Sequence, residues 1–112
     1  MKNSEIKITI SSLESISTPI PVKTSFTIAK NLRTLKEALE IYNEEHDKLI
    51  KKYAADGSQI RPSDDVKSFA AELAELNDLD AGITLEKIKY ADIEDLALNV
   101  PQTSAILYMT EV

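Results

Sequence analysis

A long apolar repeat between about residues 21 and 53 constrains the fold more than any other feature of the sequence. Apolar or aromatic residues and one histidine recur at alternating intervals of four and three: Ile28, Leu32, Leu35, Leu39, Tyr42, His46, Leu49 and Tyr53. This spacing places them along one side of a single α-helix, and we call them the apolar stripe. A helix of about 30 residues is about 45 Å long. In a chain of 112 residues, other segments must fold back along it.

A second amphipathic helix is predicted from about residue 64 to 77. Asp56-Gly57 is typical of a turn and ends the first helix, and Ser63 is suited to capping the next one. Val66, Phe69, Leu73 and Leu76 then recur at intervals of three and four. A short connecting loop lets the second helix run antiparallel to the end of the first. The two apolar sides should bury each other in a helical hairpin.

Strands are predicted on either side of the hairpin. Alternating isoleucines indicate a strand over residues 5–10, followed by a helical turn capped at Ser11-Ser12. Imperfect alternation indicates a second strand over residues 83–90, with a break near Glu86-Lys87. A helical turn is predicted at residues 92–96. A short helix is predicted over residues 102–109, although the run from Ile106 to Met109 also suits a strand.

A weak internal similarity links the two ends of the chain. When the sequence is shifted by 80 positions, residues 8–16 align with residues 88–96, and Pro21 aligns with Pro101. Either two similar strand-turn units pair with each other, or the match arises by chance. The first interpretation predicts a single α+β domain over residues 1–112. Its long helix and second antiparallel helix would pack on a small two-stranded sheet, formed by the N- and C-terminal strand-turn units.

Composition excludes several kinds of site. The chain has no cysteine and one histidine, so disulfides, thiolate metal sites and the usual zinc sites are excluded. The amide of Asn77 and the carboxylates of Asp78 and Asp80 lack the spacing of a calcium loop. We therefore predict no metal and no cofactor. His46, on the apolar stripe, is interpreted as a packed or half-exposed residue rather than a catalytic or pH-sensing one.

No catalytic motif is present. The chain has only two glycines, it has no phosphate-binding glycine loop, and its acidic residues lie mostly on faces predicted to be solvated. The formal net charge of -6 argues against a general nucleic-acid binder. The sequence has no apolar block of the length that a membrane helix or a signal peptide needs. We predict a cytoplasmic, non-enzymatic protein with no membrane partner and no direct nucleic-acid contact.

Charges are sorted along the long helix. Lys23, Lys30, Arg33 and Lys36 precede the acidic part, and this basic cluster is interpreted as a solvated face rather than an anion or partner site. An acidic part with one apolar residue follows, and it supplies the candidate partner-binding residues. They are Glu37, Glu40, Ile41, Glu44, Glu45 and Asp47.

Four segments resemble a family of small phage and prophage proteins of Gram-positive bacteria. They are Ile20-Pro21-Val22-Lys23, Ile28-Ala29-Lys30-Asn31-Leu32, Lys48-Leu49-Ile50-Lys51-Lys52-Tyr53 and Lys87-Ile88-Lys89-Tyr90-Ala91-Asp92-Ile93-Glu94. The family has no established activity, so the resemblance transfers no site residue. It implies a phage-encoded accessory protein that acts in the cytoplasm of the bacterial host.

Protein binding is the function class that these observations favour, and two forms of it stay open. The first is a part in virion assembly. It would form a symmetric homo-oligomer through the apolar stripe, because a second helix of about 14 residues covers only part of the first. The alternative is a host-directed inhibitor of a bacterial defence nuclease, of the anti-CRISPR or anti-restriction type. Its acidic residues could imitate nucleic acid.

Overall fold

Four helices and two very short strands make up the computed structural model, which describes residues 1–111. The helices are α1 (Asn3–Glu14), α2 (Val22–Tyr53), α3 (Val66–Asp78) and α4 (Val100–Leu107). The strands are β1 (Ile88–Lys89) and β2 (Thr110–Glu111), and a 3₁₀ turn at Tyr90–Asp92 follows β1. The fold is therefore a mixed one, in which the predicted long helix is present and helices dominate.

The helical hairpin is formed by the second half of α2 with α3. The rings of Tyr53 and Phe69 meet edge to face with their centroids 6.2 Å apart. Toward the other end of α3, the Tyr42 hydroxyl donates to Asn77 Oδ1 at 2.6 Å. These two contacts show that α3 runs back along α2. The Asp65 side chain caps α3 by accepting a hydrogen bond from the Ser68 backbone N–H at 3.1 Å.

The predicted N-terminal strand at residues 5–10 is wrong, because these residues belong to α1. Ile6, Ile10 and Leu13 are buried at intervals of four and three, whereas Ile8 is exposed. The isoleucines at positions 6 and 10 satisfy both a strand period and a helix period, and Leu13 completes only the helical one. The predicted cap at Ser11-Ser12 is wrong for the same reason, since both serines lie within α1.

The predicted sheet is also formed differently. Both strands come from the last quarter of the chain and pair in parallel, with Ile88 opposite Thr110 and Lys89 opposite Glu111. Of the strand predicted over residues 83–90, only Ile88–Lys89 is β-structure. Residues 8–14 are helical, whereas residues 88–96 contain a strand and turns. The 80-residue similarity is therefore not a structural repeat.

The two ends of the chain nevertheless pack together as helices. The C-terminal helix α4 agrees with the helix predicted near residues 102–109 and contacts α1. Asn99 and Gln102 form a reciprocal capping box at its start. The Gln102 side chain also donates from Nε2 to Ser15 Oγ at 3.0 Å, which ties α4 to the residue that follows α1.

One hydrophobic core holds α1, the first half of α2 and the C-terminal segment together. Its buried members include Ile6 and Leu13 from α1, Ile28 and Leu35 from α2, and Ile106 and Met109 near the C-terminus. Leu35 is completely buried. In the first half of the apolar stripe, Ile28 and Leu35 are buried in this core. The other members of the stripe are half-buried, and α3 packs along its second half. The oligomer predicted to form through the stripe stays a prediction.

Asn31 fastens the segment before β1 to α2. Its Nδ2 donates to the Glu86 carbonyl oxygen at 3.0 Å, and its Oδ1 accepts from the Glu86 N–H at 2.8 Å. The side chain is 1% exposed. One side-chain amide therefore satisfies both backbone groups of Glu86. Asn31 takes the place of a neighbouring strand, which this extended segment lacks at Glu86.

The molecule is elongated, with principal extents of 53 × 23 × 19 Å. Its radius of gyration is 17.3 Å, whereas a compact domain of this length has a value of about 13 Å. The helical hairpin contributes to this length. It lies within residues 37–78, which comprise the later part of α2, the connecting loop and α3, and its base contacts the start of the chain through Leu76 and Asp78. We call residues 37–78 the arm and the remaining described residues the body.

Candidate protein-binding surface

The arm carries the entire formal net charge of the protein. It contains 11 of the 19 acidic residues and 5 of the 13 basic ones, which leaves a charge of -6. The rest of the chain has eight residues of each sign and is neutral overall. Since α3 has no fully buried residue and the arm is only two helices thick, most of these charges face solvent.

The six sequence-predicted residues all lie on α2 outside the apolar stripe, and Glu45 is next to it. Five of them are acidic and exposed, and the sixth, Ile41, is 62% exposed. Each of them is three or four residues from another member of the group, so their side chains are neighbours on the helix surface. We call Glu37, Glu40, Ile41, Glu44, Glu45 and Asp47 the acidic surface.

The acidic surface has two flanks. Glu37, Ile41 and Glu45 are four residues apart and border a groove against the end of α3 and the residues after it. Glu40, Glu44 and Asp47 form the other flank and line no part of this groove. The structure therefore brings all six residues onto one helix face but places only three at the groove.

Charge pairing within the acidic surface is sparse. Glu45 Oε1 lies 2.8 Å from Lys48 Nζ, and this hydrogen bond raises the pKa of Lys48. Among residues 1–111, no salt bridge involves the other four acids of the surface. Unpaired carboxylates on a helix face attract a partner of opposite charge and repel acidic surfaces.

The groove beside the acidic surface supplies apolar contact area. One part of it, about 460 Å³ in volume, lies between Ile41, Leu76, Leu79 and neighbouring residues. An adjoining part of about 380 Å³ extends past Leu49 toward Lys52 and Glu72, and it shares Glu45, Leu76 and Leu79 with the first. Leu79 is 58% exposed. A partner can thus combine ionic contacts on α2 with apolar contacts in the groove.

Sequence reasoning missed the contribution of α3 and its C-terminal end to this surface. The sequence predicts Leu76 in the hairpin interface and predicts no role for Leu79. The available signal is the position of Leu79. It lies three residues after Leu76 and so continues the apolar spacing, but it falls between two aspartates and beyond the predicted end of the helix.

His46 lies at the edge of the hairpin, beside Tyr42. It is half-buried, and its ring centroid is 6.0 Å from that of Tyr42. In the part of the chain that the structure describes, no group of three His, Asp or Glu residues is arranged to hold a metal ion. Within residues 1–111, none of the helices has the combined length and apolarity of a membrane-crossing segment.

No protein-family model, curated protein or solved structure matches this chain.

Proposed function

We propose that this chain is a non-enzymatic protein that acts by protein–protein contact through its acidic surface. The observation that carries the proposal is the concentration of the whole net charge of -6 in the arm, with four acids unpaired among the described residues. A face of this kind is suited to a partner with clustered Lys and Arg. The neighbouring groove, with Leu79 exposed, would receive an apolar side chain of the partner.

The setting we propose is a phage or prophage accessory protein in the cytoplasm of the bacterial host, as the resemblance described above implies. The first role is a contact in virion assembly. Because Leu35 is buried in the body, such a contact would use the exposed acidic surface and not the apolar stripe. An arm that extends an otherwise small body offers a surface that a neighbouring phage structural protein can reach.

The second role is inhibition of a host defence nuclease, and the row of unpaired carboxylates favours it. Glu37, Glu40, Glu44 and Asp47 lie on one regular helix, where successive charges are about 5–6 Å apart. A basic surface that normally binds phosphates would meet similarly repeated negative charge.

Affinity purification from infected or lysogenic cells tests both roles. The tagged wild-type chain is compared with a variant that carries Glu40→Lys and Glu44→Lys, and recovered proteins are identified by mass spectrometry. We expect this variant to lose the partner while its circular dichroism spectrum is unchanged, because both side chains are exposed. Recovery of capsid or tail proteins supports the assembly role, and recovery of a nuclease complex supports inhibition.

The matched control carries Glu94→Lys and Asp95→Lys, two adjacent exposed acids on the body. It makes the same change in net charge at a different place. If both variants lose the partner equally, a general charge effect is at work. If the acidic-surface variant keeps the partner, the acidic surface is not the contact.

A further inference from the structure

The side of α2 that faces away from the core is exposed along most of the helix, not only in the arm. It includes the acids already described, and it extends back to the start of the helix through Lys23, Phe26, Lys30 and Arg33. Val22 is 86% exposed and Phe26 63% exposed, and Ile41 lies further along. We call this side, from Val22 to Lys48, the outer face of α2.

Charges on the outer face change sign near the middle of the helix. Lys23, Lys30 and Arg33 come first, and Glu37, Glu40, Glu44 and Asp47 follow. Lys30 is already paired with Glu86 at 2.7 Å and lies over the Phe26 ring, 5.0 Å from its centroid. Among residues 1–111, Lys23 and Arg33 form no salt bridge, and the four acids form none either. Both signs are therefore available to a second molecule.

The order of these charges is self-complementary in an antiparallel arrangement. Each basic residue has an acidic counterpart at the same distance from Leu35 on the other side. The distance is twelve positions for Lys23 and Asp47, five for Lys30 and Glu40, and two for Arg33 and Glu37. Two outer faces related by a twofold axis at the level of Leu35 would place the members of each pair at the same level along the helix axis. Arg33 and Glu37 lie nearest the centre of the face, so this pair would come closest. No like charges share a level in this register, whereas a parallel arrangement would place like charges opposite each other.

Apolar residues support the same register. In this register, Phe26 of one copy and Ile41 of the other are offset by three residues along the helix axis. This offset is about 4.5 Å. The exposed Phe26 ring can therefore pack against the exposed Ile41 side chain across the axis. The contact also leaves the groove at Leu49, Leu76 and Leu79 open to a different protein.

The size of this contact indicates a weak and reversible complex. The outer face spans 27 residues, or about 40 Å of a helix about 10 Å wide, so each copy covers about 400 Å². That is roughly half the area per partner of a standard interface. Electrostatic attraction would contribute much of the binding, and salt should therefore weaken it strongly.

We propose that the outer face of α2 binds a second copy of this chain as an antiparallel twofold dimer. This inference rests on the proposed function because it names one partner of the acidic surface. It also gives the basic residues in the first half of α2 a role, because they would contact the acids of the second copy.

Sedimentation equilibrium of the full chain over a range of concentrations tests the proposal. At about 50 mM salt, where charges are weakly screened, we expect the mass to rise with concentration from 12.4 kDa toward twice that value. At about 500 mM salt we expect mostly monomer.

Charge exchange separates this dimer from other kinds of self-association. Arg33→Glu places two glutamates opposite each other, and Glu37→Arg does the same with arginines, so each variant alone should be monomeric. Mixed together, the two variants should form dimers with one copy of each, which native mass spectrometry resolves. Lys51→Glu is the matched control. It makes the same charge change as Arg33→Glu but has no helical residue opposite it in this register, so it should leave the dimer intact.

Two results would overturn the proposal: a wild-type chain that stays monomeric at every concentration at low salt, or single variants that dimerise as well as the wild type. Neither result affects the proposed function, because a monomer can still bind a different protein through its acidic surface. The variant with Glu40→Lys and Glu44→Lys tests that binding separately. Conversely, if the chain dimerises but captures no other protein through its acidic surface, the dimer proposal holds. The partner of the acidic surface is then a second copy of the chain.

Discussion

Replacing Asn31 with alanine should destabilise the fold far more than a polar-to-alanine change on a helix usually does. The variant removes the two hydrogen bonds, 2.8 and 3.0 Å long, that join this side chain to the backbone of Glu86. Each such bond is worth about 1 kcal/mol net, and a buried backbone group left without a partner costs about 1–3 kcal/mol. We expect the free energy of unfolding to fall by about 3 kcal/mol, a large share of the roughly 5–15 kcal/mol typical of a domain.

Urea unfolding followed by far-UV circular dichroism measures this effect. With a slope of about 1–2 kcal/mol per molar urea for a small protein, the midpoint should fall by about 2 M, while the slope itself stays the same. Thr34→Ala is the matched control on the same helix, since its hydroxyl makes only a long, exposed hydrogen bond of 3.4 Å to the Lys30 carbonyl oxygen. It should change stability by less than about 0.5 kcal/mol.

The result that would refute this reasoning is an Asn31→Ala variant within about 1 kcal/mol of the wild type. Such a value would mean that water satisfies the Glu86 groups as well as the amide does. Residues 83–87 would then be held mainly by their apolar contacts and by the ion pair between Lys30 and Glu86.

Three further predictions concern the core, the N-terminal helix and a loop carboxylate. Leu35→Ala should lower the free energy of unfolding by about 2–5 kcal/mol in urea titrations, because the side chain is fully buried. Ile41→Ala, on the exposed face, should change it by less than about 0.5 kcal/mol, and equal effects would contradict the assigned core. Deleting residues 1–10 should abolish cooperative thermal unfolding, because Ile6 and Ile10 are core residues; unchanged melting would show that α1 is dispensable. Backbone N–H groups of the following turn, together with the Arg61 guanidinium, lower the pKa of Asp56 to about 2. Because the folded-state pKa lies below the ordinary value of 3.8, this carboxylate stabilises the fold above that value and loses its contribution as the pH falls toward 2. Carbon-detected NMR titration should give a midpoint near 2, Asp56→Asn should remove this part of the acid sensitivity, and a midpoint near 3.8 would contradict the turn geometry.

The acidic surface could be predicted from the sequence because it depends on one helix. Intervals of three and four residues determine which side chains share a helix face, and the position of Ile41 among acids was visible in the same pattern. The groove beside it could not be predicted. Its walls include Leu76 and Leu79, whose placement depends on how α3 ends against α1, where the Asn3 N–H donates to the Leu79 carbonyl oxygen at 2.9 Å.

The sequence by itself determined α2, α3 and the sorting of charge along α2, because local periodicity and turn residues are sufficient to specify amphipathic helices and their ends. Only the tertiary structure decided whether residues 5–10 are a strand or a helix, since Ile6 and Ile10 suit either and the choice depends on burial against α2 and α4. The tertiary structure alone also placed both strands at the C-terminal end and assigned Asn31 to the backbone of Glu86, 55 residues away. Contacts between residues so distant in sequence leave no local pattern, because the free energy that selects them appears only when the elements pack together.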